Sequence, residues 1–203
     1  MPDTKKLDLH RQHRAEYVAP KTPALVPTKP ASYLTITGQG EPHGDVFQAA
    51  VSALYAVAFT IKMTSKQAGR DYKVCHLEGL WWGGKGTAGF WSLPPEQWKW
   101  KLMIRVPPFV GRDDLDRAVG VLKAKGKAPE VTTVRLEGLD EGLCVQVLHV
   151  GPYSEEPATV AKMRAFAREN GRRLRGRHHE IYLSDPRRVP PQRLRTILRH
   201  PVR

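Results

Sequence analysis

His178-His179-Glu180-Ile181-Tyr182-Leu183-Ser184 is the stretch on which the fold turns. It alternates: Ile181 and Leu183 fall on one side, and His178, Glu180, Tyr182 and Ser184 on the other, the period of two that marks a strand. Earlier in the chain His76-Leu77-Glu78-Gly79-Leu80 repeats its His-x-Glu order, with a large side chain two positions past the glutamate. Both copies occupy the strand that follows a long helix.

Working outward, the same element order surrounds each copy. Residues 32–37 alternate as a strand, and Gly38-Gln39-Gly40-Glu41-Pro42 breaks it. Asp45 is suited to cap a helix that reaches about Met63. Val46, Ala50, Leu54, Ala58 and Ile61 mark one of its faces, and Phe47, Val51, Tyr55 and Phe59 the next, so the helix should be buried on several sides. A strand over 73–82 follows and stops at Gly83-Gly84. In 98–106, Trp98, Trp100, Leu102, Ile104 and Val106 alternate with Lys99, Lys101, Met103 and Arg105, one dry face and one mostly wet. A helix over 114–125 comes next. Strands at 132–136 and 143–150 flank a glycine-containing segment with the length of a hairpin turn. A helix from Ser154 to Gly171, a strand over 177–184 and a strand over 194–199 complete the chain.

The reading is an α+β domain of two strand–helix–strand–strand units with an antiparallel sheet and a central ligand cleft. An N-terminal arm, residues 1–30, is punctuated by Pro20, Pro23 and Pro27 and precedes one domain, 31–203, with repeat units at about 32–106 and 131–203. If the halves pair about a pseudo-two-fold axis, Glu78 and Glu180 should approach one cleft.

Bulk properties narrow the function. The longest apolar run, 46–61, contains Gln48 and Ser52 and falls short of the roughly 20 residues of a membrane span. The first thirty residues lack a signal-peptide stretch. A cytoplasmic location and no membrane partner are therefore expected. Cys75 and Cys144 lie in apolar runs and form no CxxC pair, so buried free thiols are expected. The net charge is +13, and from Arg164 onward twelve arginines face only Glu169, Glu180 and Asp185. That bias favours non-specific, salt-sensitive contact with nucleic acid, or it is simply a solvated arginine-rich face. No zinc-finger, RNA-recognition or helix-turn-helix pattern accompanies it.

Several residues can carry chemistry. Glu180, with His178 and Tyr182 on its face, can bind a cation or act as a general base in a partly dry pocket; it can equally be a strand glutamate paired with an arginine. Glu78 is similar, with Trp81 and Trp82 beside it as pocket walls or core. His149 and Tyr153 lie in His149-Val150-Gly151-Pro152-Tyr153-Ser154, where a strand gives way to a helix whose N-terminus can hold an anion. No metal is expected, since the neighbouring His178 and His179 point to opposite faces. No Walker loop, GxGxxG or Ser–His–Asp signature is present, and no cofactor is expected.

His179-Glu180-Ile181-Tyr182-Leu183-Ser184-Asp185-Pro186, followed by Pro190, Leu194, Arg195 and Thr196, resembles the C-terminal signature of GyrI-like proteins. That group includes the DNA gyrase inhibitor protein and the effector domains of some multidrug-responsive regulators. The chain is most similar to stand-alone bacterial members, through Ala58-Phe59-Thr60-Ile61-Lys62-Met63, Leu77-Glu78-Gly79-Leu80-Trp81, Gln146-Val147-Leu148-His149-Val150-Gly151-Pro152-Tyr153 and Glu155-Glu156-Pro157. The resemblance implies a duplicated SHS2-type fold with a pocket between the halves. In its drug-binding members a buried glutamate matching Glu180 holds the ligand. Some stand-alone members hydrolyse the strained cyclopropane of yatakemycin- and duocarmycin-type DNA alkylators, a detoxifying, self-protective activity. Carried over, Glu180 activates water, and Tyr182 is the second catalytic residue, a tyrosine hydroxyl donating to the dienone carbonyl. Trp81, Tyr153, Tyr182 and Tyr55 hold the flat aromatic ligand, with Glu78, Trp82 and His149 as further lining. The alternatives are a non-catalytic module that sequesters lipophilic or cationic aromatics, and a gyrase-modulating protein. Either a monomer or a homodimer fits.

Overall fold

The alternating segments pair into one eight-stranded sheet, antiparallel at every junction, in the order β1-β6-β8-β7-β3-β4-β2-β5. The computed structural model describes residues 6–83, 89–127 and 129–203. The strands are β1 (Ala24–Pro27), β2 (Ala31–Gln39), β3 (Leu77–Trp82), β4 (Lys99–Val106), β5 (Arg135–Leu139), β6 (Leu143–Val150), β7 (His178–Tyr182) and β8 (Arg195–Pro201). The helices are α1 (Leu9–Gln12), α2 (Arg14–Tyr17), α3 (Asp45–Gln67), α4 (Arg112–Ala124) and α5 (Glu156–Glu169). Gly84, expected to end β3, lies outside the described residues, as do the first five residues of the arm.

The duplication is visible in the topology. The first unit, β2-α3-β3-β4, lies in the sheet as β2-β4-β3; the second, β6-α5-β7-β8, lies as β7-β8-β6. The two meet at a β3–β7 seam, where Gly79 pairs with Glu180 and Trp81 with His178. Leu34, Ile36, Leu102 and Ile104 pack under α3 and α4, and Val145, Val147 and Leu198 pack under α5 with Val160 and Met163. All three long helices therefore cover one face. Burial of these apolar faces, worth roughly 25 cal/mol per Å², drives the two halves onto one sheet.

The opposite face carries the arm, and here the structure departs from the sequence reading. Met103 and Arg105, expected on a wet face, are 1% and 3% exposed. Over Arg105 the cause is α2, whose Glu16 accepts from Arg105 Nη1 at 2.8 Å and whose Tyr17 packs on Ile181 and Ile197; Met103 is covered by Tyr33 and Leu80 of the neighbouring strands. Strand β1 then joins the sheet edge against β6.

Three further expectations are corrected. Residues 132–136 and 143–150 form no hairpin: a 3-10 turn spans Pro129–Thr133, and β5 pairs with β2 at the far edge of the sheet, while β6 pairs with β8 and β1. Helix α3 is not buried on several sides; Val46, Phe59 and Met63 are 64%, 52% and 48% exposed because only one layer of strands lies beneath it. Gly44, not Asp45, takes the N-cap, with Asp45 the first helical residue.

Candidate functional site

Register at the seam decides which candidates can meet. Across an antiparallel pair, directly opposed side chains share a face. Glu78 is opposed to Ile181, and Glu180 to Gly79. The two glutamates of the His-x-Glu echo therefore point to opposite faces, and the expectation that they approach one cleft is wrong. A one-residue offset in cross-strand register is enough to cause this.

On the arm face, Glu78 is fully buried and belongs to a charge network. It accepts from Tyr17 Oη at 2.9 Å and lies 3.0 Å from His179 Nε2. His179 Nδ1 lies 2.9 Å from Glu141 Oε2, and Arg199 reaches Gln146, Glu141 and the Glu16 carbonyl. With both ring nitrogens facing carboxylates, His179 is doubly protonated and donates twice. Burial would lower its pKa, but the Glu141 carboxylate and then Glu78 lift it to about 9. Burial would raise Glu141, but His179 and Arg199 hold it at about 2. Trp82 also stands on this face, with the Arg177 guanidinium 3.6 Å from its ring centroid. Glu78 and Trp82 are thus separated by the sheet from Glu180.

The helical face of the seam gathers a different set. Tyr182 Oη donates to Glu180 Oε2 at 2.8 Å and accepts from Trp81 Nε1 at 2.9 Å. This relay crosses the seam, and Gly79 makes room for it: a Cβ there would lie 2.9 Å from Tyr182 Oη and 3.0 Å from Trp81 Nε1. Trp81 is held in place by Phe47, Phe90 and Trp98, with ring centroids 5.8, 6.0 and 6.1 Å away. Trp91 packs against His178 at 4.8 Å. His178 Nε2 stands 3.1 Å from Glu180 Oε1, off the line of a hydrogen bond, and neither of its ring nitrogens has a hydrogen-bond partner among the described residues.

The residue the sequence reading missed is Glu156. It opens α5, where a carboxylate ordinarily complements the helix dipole. Instead it is 1% exposed, its carboxyl lies within 4.8 Å of the Glu180 and His178 donor atoms, and its Oε1 has no hydrogen-bond partner among the described residues. Burial first, and then the neighbouring Glu180 charge, push its pKa well above the carboxylate range. This favours the protonated, neutral form of Glu156 beside Glu180. The signal was present in Pro157: a proline in the first turn fixes where α5 starts, but not which way the residue before it points.

The remaining candidates divide. Tyr153, in the 3-10 turn before α5, sets its ring edge-on to Tyr182 at 6.1 Å. Its hydroxyl has no hydrogen-bond partner among the described residues, and burial, then Glu180, raise its pKa. Tyr55 on α3 is half-buried, stacks on Phe59 at 6.1 Å and lies near the Asp185–Arg187 pair. His149 is committed elsewhere. Its Nε2 donates to the Pro152 carbonyl at 3.2 Å, and Nδ1 lies 2.9 Å from Thr159 Oγ1. His149 thereby pins the Gly151 turn, where φ is 144°, rather than facing Glu180.

Glu156, His178 and Glu180 offer donor atoms within 4.8 Å of one another. A divalent ion there would have to displace the proton that burial favours on Glu156. The opposite-face argument holds for His178 against His179; it did not foresee the third donor from α5. Two hollows lie elsewhere. One of about 240 Å³ is on the arm face beside Tyr33, Met103 and Glu141, and one of about 750 Å³ lies along the start of α5 beside His149 and Lys162. Neither is lined by Glu180, which is 6% exposed.

Residues 113–203 match the model of the GyrI-like small molecule binding domain. No curated protein sequence matched the chain. Among solved structures, a hydrolase from Listeria innocua is 37% identical, with a TM-score of 0.89 over 98% of this chain and 100% of its own. A further Listeria innocua structure described as a hydrolase is 36% identical with a TM-score of 0.88 over the same shares. The C-terminal domain of EcmrR, 11% identical with a TM-score of 0.58 over 90% of this chain and 97% of its own, shares the fold. The duplicated sheet, the seam and these relatives agree: the chain belongs to the GyrI-like small-molecule-binding family.

Proposed function

We propose that this protein hydrolyses the cyclopropane of flat, DNA-alkylating genotoxins of the yatakemycin and duocarmycin type. The observation that carries the reading is the pair of buried glutamates, Glu156 and Glu180, whose carboxyl oxygens gather with His178 within 4.8 Å of one another beside an aromatic wall. The hydrolase descriptions of the Listeria innocua relatives support it. Glu180 takes a proton from water, whose oxygen attacks the cyclopropane methylene. The carbon–carbon bond breaks, and its electron pair passes through the dienone to the carbonyl oxygen, which becomes a phenol on protonation. Tyr182, already donating to Glu180 and accepting from Trp81, has no hydroxyl proton left for the ligand and is a positioning residue. Tyr153, whose hydroxyl has no hydrogen-bond partner among the described residues, is the donor to the developing oxyanion. Trp81 and Tyr55 flank the ligand, and Glu156 holds the site's proton.

Incubating the protein with such an alkylator is expected to give a ring-opened product one water heavier by mass spectrometry. Glu180→Gln should cost about 10²–10⁴-fold in turnover while remaining folded, the range for loss of a general base. Absence of turnover with every such compound, or full activity in E180Q, refutes the assignment. A second reading, sequestration of aromatic cations, is favoured by the same carboxylate among aromatic rings. It predicts saturable binding with the ligand recovered unchanged.

A further inference from the structure

The loop between β7 and β8 follows directly on Tyr182 and, with the first residue of β8, carries four exposed arginines. Leu183 N donates to the Arg195 carbonyl and Gly151 N to the Leu194 carbonyl, both at 3.0 Å, and Arg195 N donates to Ser184 Oγ at 3.1 Å. These bonds tie the loop to the turn that presents Tyr153, while Asp185 and Arg187 lie near Tyr55. Arg188, Arg193 and Arg195 are exposed and form no ion pair among the described residues. Asp185, the one acid on the loop, is taken by Arg187 at 2.9 Å.

We infer that this arginine-bearing rim docks on the phosphate backbone of duplex DNA, setting the turn that presents Tyr153 against the nucleic acid. The net charge of +13 supplies long-range attraction, and guanidinium groups match phosphate geometry. Pro186, Pro190 and Pro191, with the 3-10 turn Pro191–Arg193, hold the loop in shape, so little ordering entropy is lost on contact. The loop exposes no large apolar side chain; those lie on α3 and elsewhere. It therefore lacks the apolar wedge that a membrane-surface anchor uses. A second set of exposed arginines, Arg164 and Arg168 on α5 and Arg172 just beyond it, is equal in number and also without ion pairs among the described residues. It lies on the flank of α5, and its helix also exposes Glu169.

The inference stands independently of catalysis and is tested by binding alone. Fluorescence anisotropy with a short labelled duplex, titrated with salt from about 50 to 200 mM, reads the number of phosphate contacts as roughly 0.9 in slope for each. R188Q/R193Q/R195Q should lower the slope by roughly 3, R164Q/R168Q/R172Q should leave it unchanged, and E180Q should bind DNA like the wild type. Absence of binding near 150 mM salt, an equal loss in both triple variants, or an unchanged slope in the rim variant overturns the inference. Tighter binding to phosphatidylserine vesicles than to the duplex does the same.

Discussion

Gly79→Ala is the most informative single change, because it adds one carbon at the point where the two halves exchange hydrogen bonds. Gly79 has no unusual backbone conformation, so alanine is acceptable to the chain itself. The cost is steric. The new Cβ would lie 2.9 Å from Tyr182 Oη and 3.0 Å from Trp81 Nε1, and each atom must withdraw by about 0.5 Å to reach ordinary contact. Trp81 cannot yield easily, being packed by Phe47, Phe90 and Trp98, so the Tyr182 ring moves and the Trp81–Tyr182 bond is lost. Overpacking costs about 1–3 kcal/mol and the hydrogen bond about 1. Alanine returns about 0.4–1 kcal/mol through the unfolded chain. The net is about 2 kcal/mol, a fall in Tm of roughly 4–8 °C for a chain of this size. The displaced tyrosine also releases Glu180, and a misplacement of this order costs about 10²-fold in turnover. Calorimetry reads the first effect, product formation the second, and the Trp81 indole N–H resonance reports the broken bond directly. Wild-type Tm together with an unmoved Trp81 resonance would refute the reasoning, because the relay would then not depend on the absent side chain.

Other outcomes follow from the arm-face network. His179 is raised from 6.5 to about 9 in the fold, so its contribution is complete below pH 6.5 and is lost as pH rises through about 9, on the order of 3 kcal/mol. Glu141 is lowered from 4.5 to about 2, so its contribution is complete above pH 4.5 and is lost as pH falls through about 2. The difference in urea midpoint between the wild type and His179→Gln should therefore be full below pH 6.5 and shrink as pH rises through about 9. Glu16→Ala leaves the Arg105 guanidinium, 4% exposed, buried without its carboxylate, and should cost about 3–5 kcal/mol in chemical denaturation. Burial raises both Cys75 and Cys144 to about 12; neither should react with a thiol reagent at pH 8 until the protein is unfolded.

Much of the architecture was legible locally. The alternation in 98–106 and in 177–184 located β4 and β7, the latter shorter than expected at His178–Tyr182, and β6 was found at its own bounds. Trp98 and Trp100 needed only periodicity to be read as core. What misled was the segment around Gly138 and Gly142. A glycine-rich gap between two strands is what a hairpin turn looks like, yet β5 and β6 leave it for opposite sides of the sheet. The wet face of β4 misled in the same way, because the covering arm is distant in sequence and carries its own polar partners for Arg105.

The sequence by itself determined the duplication, the helix and strand types, and Glu180 and Trp81 as candidates, because these follow from periodicities and side-chain chemistry within a few neighbouring residues. Only the tertiary structure decided which residues meet. The seam register sent Glu78 and Trp82 to the arm face, Gly79 opened space for a tyrosine from the other half, and the packing of α5 brought Glu156 against Glu180. The physical reason is that in an antiparallel sheet one residue of register exchanges the two faces, and nothing local to either strand sets that register.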